Sequence, residues 1–313
     1  MTTSVATSGA ALPAAPAPTG GKLTQFARLV RWELFLALRR RMMVITLGAL
    51  LLVGYLAVVL VQFAIYAATR GQAGAQLIGA GLGFPGGISV AGGFITSAGV
   101  LLFVVLVGAL IGSEYSYSTL RLSLARGVGR GQLLAAQIVA VAALALGLTA
   151  IAVLLGATVG GLGAAVGIPT IAGVSLSVGE VLLYWLALAF NIFCYAMIAL
   201  CIGTLTRSVA GGIAGPLVFI VVEVVVTDVL VALSAFPVTS PLLQALSHTP
   251  EYLLGPNASS LITLAGAGPY PLTSGQVILP AITWPHALIV SVVYCALLIA
   301  SSYLVLRNRD VVE

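Results

Sequence analysis

A chain of 313 residues that is 60% hydrophobic and 7% charged, with a mean hydropathy of +1.17, lies far from the soluble norm of about 45–50% apolar and about 25% charged. No soluble fold of this length hides so much apolar surface, so most of the chain has lipid as its solvent. The net charge of +5 is not gathered on a folded basic module, which excludes nucleic acid as a partner.

The first 21 residues, "MTTSVATSGAALPAAPAPTGG", carry no charged side chain and lack the basic start and apolar centre of a secretory signal. Residues 1–21 therefore read as a disordered N-terminal tail. Residues 22–41, "KLTQFARLVRWELFLALRRR", place Leu23, Phe26, Ala27, Val30, Leu34 and Leu38 at helical spacing, with Arg28, Arg31 and Arg39 off that stripe. This is the pattern of an amphipathic helix lying in the membrane interface. It is either a connecting helix with a role of its own or a plain juxtamembrane anchor.

Within residues 42–313, six windows reach the roughly 20 apolar residues that a spanning helix needs: about 43–66, 90–112, 133–157, 181–205, 209–233 and 286–306. The expected fold class is an all-α integral membrane protein. A short connector around Arg207 makes the fourth and fifth spans a tight hairpin. Residues 67–89 read as a Gly-rich loop, and 160–177 as an outer loop or a frayed helix end. The long proline-rich segment 234–285 holds "SPLLQAL" and "SSLITLAGAG", too short to span but suited to half-helices that dip into the bundle or pack over it. Its position 257 is expected to be open to reagents from outside.

An even number of spans puts both termini on one side. Lys22, Arg28, Arg31, Arg39, Arg40, Arg41, Arg121, Arg126, Arg130, Arg207, Arg307 and Arg309 fall on that side, and only Arg70 on the other. This asymmetry makes that side cytoplasmic. The expected location is the cell (plasma) membrane, multi-pass, with both termini inside. Tyr184, Trp185 and Trp284 lie near span ends, as interfacial aromatics do.

Catalytic signatures are missing. The two histidines, His248 and His286, form no His-Glu-x-x-His, and neither Cys-x-x-Cys nor Gly-x-Ser-x-Gly occurs. Cys194, Cys201 and Cys295 lie in apolar runs and read as small packing hydrophobes. The single lysine, Lys22, follows Gly20 and Gly21, but Pro16 and Leu23 stand where a phosphate loop needs Gly and Ser or Thr. The chain is therefore not its own ATPase, and catalytic, cofactor and metal residues are expected to be none. Gly108 with Gly112 and Gly156 with Gly160 are Gly-x-x-x-Gly spacings, explained by helix packing. Glu223 lies near the middle of the fifth span, with Asp228 nearer the outer interface and Glu180 at the outer edge of the fourth span. A carboxylate at Glu223's depth is costly in lipid and so faces protein or water, or is protonated. Asn191 lies at comparable depth within hydrogen-bonding reach. The pair is either a polar point on a translocation path or a structural interhelical bond.

Segment 113–132 gathers Glu114, Arg121, Arg126 and Arg130 between two highly apolar spans. Leu120 and Leu124 are one turn apart and Glu114 and Arg121 two turns, which predicts a short helix with an apolar edge and a charged edge. Gly127, Gly129 and Gly131 end it. Here the chain resembles the permease subunits of ABC-2 (type-2) ABC exporters, in which a Glu after the second span precedes a Gly-Thr-Leu-Arg-like segment and an Ala-Arg-Gly turn. Glu114, Thr119, Leu120, Arg121, Ala125, Arg126 and Gly127 fit that pattern, whereas Ser118 replaces Gly and Gln137 stands where Lys often opens the next helix. The amphipathic lead-in, the six spans and "YLLGPNASSLI" are also similar to that family.

The resemblance implies a non-enzymatic permease subunit that forms the translocation path and pairs with a second permease half as a homo- or heterodimer. A separate cytoplasmic ABC ATPase would bind the ATP. Glu114, Tyr115, Thr119, Leu120, Arg121, Leu124 and Arg126 would form a cytoplasmic coupling helix against that ATPase. Two rival readings stand beside it: a secondary transporter coupling protons through Glu223 and Asp228, and a non-transporting membrane sensor or immunity protein.

Overall fold

Inside a bilayer every backbone N–H and C=O must find a partner within the protein, which favours helices. The computed structural model describes residues 22–39, 41–72, 75–116, 129–168, 177–234, 246, 248–265 and 282–308. Among them the fold is all-α, with no strand. Helix α1 covers Lys22–Arg39, α2 Arg41–Ala68, α3 Ala75–Leu82 and α4 Gly86–Phe94. A single π-helical turn, Ile95–Gly99, joins α4 to α5, Val100–Ser116. Then follow α6 (Arg130–Ala165), α7 (Val178–Thr206), α8 (Val209–Ser234), a 3-10 turn (Thr249–Tyr252), α9 (Leu254–Ala265) and α10 (Trp284–Asn308).

Six helical stretches are long and apolar enough to cross a membrane: Gly48–Ala68, Gly86–Tyr115, Arg130–Ala165, Val178–Thr206, Val209–Ala232 and Trp284–Asn308. They coincide with the six windows read from the sequence, and they make this a multi-pass helical membrane architecture. The expected tail 1–21 and most of the segment proposed as a coupling helix, residues 117–128, lie outside the described residues.

Helix α7 is the central pillar. It packs against α5, α6, α8, α9 and α10, and 72% of its apolar window is buried, against 6% for α2. Leu188, Ile192, Met197 and Leu200 are completely enclosed. Cys194 Sγ touches Cys295 Sγ of α10 at 3.4 Å, so two of the thiols pack as small buried groups between helices. A capping box starts α7: the Ser177 N–H donates to Glu180 Oε2 (2.8 Å) and the Glu180 N–H to Ser177 Oγ (3.2 Å). Arg207, at φ 52°, ends it in the left-handed region, and Ser208 Oγ accepts from the Gly211 N–H (3.0 Å) to open α8. This is the tight hairpin that the short connector required.

Glycines set the closest approaches. A Cβ on Gly108 would collide with the Gly212 carbonyl of α8, and one on Gly112 with Ser208 O at 2.6 Å. A Cβ on Gly156 would meet Gly87 O of α4 at 2.6 Å, and one on Gly87 the Gly156 O at 2.5 Å. Both Gly-x-x-x-Gly pairs therefore face a neighbouring backbone directly, the contact for which such spacing is suited.

Two loop expectations need correction. The third spanning helix continues through Ala165, so of the two readings of 160–177 the outer loop fails for residues 160–165, which are the end of the helix. The reason is the same close approach: Gly160 and Gly163 lie against the backbone of Leu82–Phe84, and that contact outweighs glycine's poor helix propensity. Residues 67–89 are not simply a loop either. Helix α3 occupies 75–82, with Leu82 buried against Tyr66 and Ile168.

Helix α1 is amphipathic as expected, but its face is turned. The side chains enclosed by the protein include Glu33 and Ala37, whereas Leu23 and Leu38 are exposed. Arg28, Arg31 and Arg39 are exposed as well. A helix wedged between a bundle and a lipid interface has two apolar neighbours, so its stripe is divided between them.

Gly108→Ala is expected to lower the melting temperature of the purified protein, at a cost of about 1–3 kcal/mol for an overpacked contact. Gly147→Ala, whose new methyl meets nothing within 4 Å, is expected to be neutral or stabilising, because alanine is the better helix former. Equal effects of the two would contradict the packing assigned to Gly108.

Candidate functional site

Polar side chains are scarce in this bundle, and they gather in two clusters. The first lies where α5 and α6 reach the ends of the 117–128 connector. Gln137 Nε2 of α6 donates to Glu114 Oε2 of α5 (2.6 Å), and the Glu33 carboxyl of α1 hydrogen-bonds with the same Glu114 side chain. Tyr115 hydrogen-bonds with Thr204 of α7. Arg130, the first residue of α6, donates from Nη1 to the carbonyls of Leu306 and Arg307 at the end of α10 (2.9 Å each). Both roots of the connector are thus tied to the bundle. Burial pushes the Glu33 carboxyl above the usual carboxylate range, and its bond to Glu114 acts more weakly in the opposite direction.

The second cluster surrounds Glu223 in the middle of α8. Its Oε1 accepts from the Gly255 N–H (2.7 Å) and its Oε2 from the Tyr195 hydroxyl of α7 (3.2 Å). The Leu254 N–H donates to the same carboxyl. Leu254 and Gly255 are the first residues of α9, so Glu223 caps that helix from another element. It satisfies donors that a helix start leaves unpaired and places a carboxyl at the positive end of the helix dipole. Pro256 suits this first turn because it has no N–H to satisfy. Gly255 must be glycine: a Cβ there would lie 2.8 Å from the Tyr195 oxygen and 3.3 Å from the Glu223 carboxyl.

Helix α9 is held along its length. Asn257 is completely buried and donates from Nδ2 to the carbonyls of Glu251 and Leu253 (2.7 Å each). His286 Nε2 donates to Glu251 O (2.8 Å) and the Tyr294 hydroxyl to Tyr252 O (3.1 Å), both from α10. Part of the 234–285 segment is therefore a 12-residue half-helix inserted among α7, α8 and α10. Asn257 is not open to reagents, contrary to expectation, because its amide serves the turn that feeds this helix.

The structure does not join Asn191 to Glu223. Both are buried, but Glu223 pairs with Tyr195, one helical turn further along α7, and Asn191 Oδ1 has no partner among the described residues. Asp228 is exposed on α8. Glu114 and Tyr115 sit at the end of α5 with intramolecular partners, while Thr119, Leu120, Arg121, Leu124 and Arg126 lie outside the described residues. Sequence reasoning missed Glu33, Tyr195 and Gly255, and took Gln137 only as a departure from a pattern. Two signals were present: the Gly-Pro pair of a helix start in "LLGPN", and a lone acid in the arginine-rich lead-in.

A family model described as a protein of unknown function, DUF2705, matches residues 94–312. The chain belongs to the DUF2705 family. The match begins at the last residue of α4, just before the π-turn of the second span, and takes in Glu114, Gln137, Tyr195, Glu223 and Gly255, so the Glu223 cluster lies wholly within the DUF2705 region. Glu33 on α1 precedes it. No curated protein matches the chain.

Glu223→Leu removes the cap and the Tyr195 acceptor together. It is expected to destabilise the protein by about 1–3 kcal/mol, the cost of leaving buried donors unpaired. Glu223→Gln keeps a carbonyl for the Gly255 N–H, and the tyrosine hydroxyl can turn to accept from the amide, so it is expected to cost less than half as much. Thermal unfolding in detergent measures both. A fully tolerated Leu would contradict the capping role.

Proposed function

We propose that this DUF2705 protein is the permease subunit of an ATP-driven transporter of the ABC-2 exporter type, working as one half of a dimer with a separate cytoplasmic ATPase. The observation that carries the reading is the connector after the second span. It is rich in Arg, matches the Glu…Thr-Leu-Arg…Ala-Arg-Gly pattern, and emerges from two roots tied to α1, α6, α7 and α10. A segment anchored at both ends transmits a push from a soluble partner into the helices that hold it, whereas a free loop would absorb that push. The missing phosphate loop agrees with an ATPase on another chain.

In this reading Leu120 and Leu124 supply the apolar contact to the ATPase, and Thr119, Arg121 and Arg126 the polar and charged ones. Glu114 and Tyr115 have a different task, since their partners are internal: they fix the connector's angle to α5. The asymmetry of Lys and Arg supports a plasma-membrane location with both termini and the connector on the cytoplasmic side. Substrate would pass along the face shared with the second permease half. Asn191, whose buried Oδ1 lacks a partner among the described residues, is enclosed by the bundle, so as a path residue it would line a route inside the protomer and not that face. Glu223 is less suited to carrying cargo or protons, because both of its oxygens are occupied by α7 and α9. This weakens the proton-coupled alternative.

Arg121→Glu is expected to reduce co-purification of the ATPase and transport-coupled ATP turnover by tenfold or more, on the order of the 2–5 kcal/mol lost when one partner of a buried interfacial charge pair is removed. Membrane insertion and thermal stability should stay near normal. Arg309→Glu is expected to do little, as a tail charge. Equal behaviour of the two variants would reduce the connector to an ordinary basic loop. Orientation is checked separately: a cysteine at exposed Gln72 should react with an impermeant reagent added to intact cells, and one at Ser118 should not.

A further inference from the structure

A gap between spanning helices is filled by what the bilayer dissolves, because an empty one forfeits dispersion contacts on every side. Helix α2 leaves such a gap. It meets the bundle at Gly54, where a Cβ would lie 2.8 Å from Phe94 Cζ, and the Tyr55 and Phe94 rings are 6.0 Å apart. Nearer its start it stands away: a Cβ on Gly48 would meet nothing within 4 Å. Between α2, the junction of α4 with the π-turn, and α6 lies a cavity of about 360 Å³. That is more than twice the about 150 Å³ that holds benzene in an engineered apolar cavity.

The wall decides what kind of guest fits. Tyr55, Ala91, Ile95 and Ala152 are buried at its floor, whereas Leu52 and Ile151 at its rim are 44% and 58% exposed. The cavity therefore opens sideways, between α2 and α6, onto the surface that faces lipid. Only Tyr55 brings a polar side-chain atom to the wall, and its hydroxyl is itself enclosed by the protein. A guest meets hydrocarbon and aromatic carbon, so the chemistry that fits is an alkyl chain.

We propose that the cavity holds an acyl chain of an anionic phospholipid whose headgroup rests on the arginine corner between α1 and α2. Arg39 is exposed at the end of α1, with Arg28 and Arg31 exposed on the same helix, and Arg40 and Arg41 follow in the sequence. Glu33, the only acid in α1 or α2, is turned into the bundle, so no carboxylate of these two helices competes for that corner. Clustered arginines at a membrane surface favour anionic over zwitterionic headgroups. At about 1.5 Å per residue, Gly48 lies roughly 10 Å and Tyr55 roughly 21 Å along α2 from Arg41. The hydrocarbon of one leaflet is about 15 Å deep, so a chain that starts at the arginines enters the cavity with its tail half. The site does not rest on the transport reading, and it holds whichever way the chain is oriented, because the arginines lie at the end of α2 nearer the cavity.

The full-length protein is reconstituted in nanodiscs with phosphatidylglycerol or phosphatidylcholine that carries a diazirine near the end of one acyl chain. After irradiation the labelled peptides are mapped. With phosphatidylglycerol, label is expected to concentrate on residues 51–55 and 148–155. Gly48→Phe, which fills the cavity from its wall, should abolish most of that labelling. Gly161→Phe, at a position on α6 that is equally open but outside the cavity, should leave it unchanged. Arg39→Gln should lower the preference for phosphatidylglycerol over phosphatidylcholine by about fivefold, the weight of one basic residue beside anionic lipid. Label spread evenly over the outward faces of α2, α8 and α10 would overturn the proposal, since it would mean ordinary contact with bulk lipid; this wild-type map decides alone if Gly48→Phe does not fold. Labelling that survives in a folded Gly48→Phe would also overturn it. Equal labelling by the two lipids, unchanged by Arg39→Gln, would overturn the anionic headgroup.

Discussion

Lipid gives two apolar helices almost no reason to prefer each other over an acyl chain, so this bundle depends on backbones that approach closer than any side chain allows. Gly108 on α5 against Gly212 on α8, and Gly87 on α4 against Gly156 on α6, are the contacts that permit it. With those crossings fixed, α7 is enclosed on nearly all sides, and its large side chains fill the space the glycines define. The outward faces of α2, α8 and α10 remain apolar and unpacked, as lipid-facing surfaces do. Helix α2, in particular, is barely enclosed by the rest of the bundle.

Against that dry background each polar bond carries more structural information than it would in water, because the alternative is an unpaired group. The Glu223 cluster fixes a helix that is too short to span: α9 is held in the middle of the bundle because its first N–H groups reach a carboxyl on α8. The Glu33–Glu114–Gln137 cluster works at the end of α5 where the connector leaves, and joins α1, α5 and α6 through three side chains. One cluster stabilises an inserted half-helix and the other fixes the end of α5 from which the connector leaves. A movement that opened the bundle between α5 and α8 would have to respect both, and α7 connects them through Tyr195 at the first and Thr204, beside Tyr115, near the second.

The spans were legible in the sequence because soluble helices and strands rarely keep unbroken hydropathy over about 20 residues. The glycine pairs were legible as spacing, though spacing alone could not say which helix each would meet. What sequence left unread depends on rotation about a helix axis or on contacts distant in the chain. The turn of α1 that buries Glu33 is set by the bundle behind it, and the apolar stripe was shared between two neighbours. Asn191 and Tyr195 are one turn apart on α7, so depth alone could not choose between them as the partner of Glu223. The choice fell to Tyr195 because α9 arrives there, through Gly255. Helix α3 read as a loop, and the last turns of α6 as a loop or a frayed end, because their glycines lower helix propensity; packing of Gly79 against Tyr66, and of Gly160 and Gly163 against Leu82–Phe84, reversed that.

The proposed grip of the connector on a separate ATPase can be tested in the cell. The most direct measurement replaces Leu120 with a photo-crosslinking amino acid in living cells, irradiates, and identifies the captured chain by mass spectrometry. A phosphate-loop ATPase is expected as the dominant product, with the yield changing when ATP is depleted. Capture of lipid alone, or of the same background proteins found from a probe at Arg309, would contradict it.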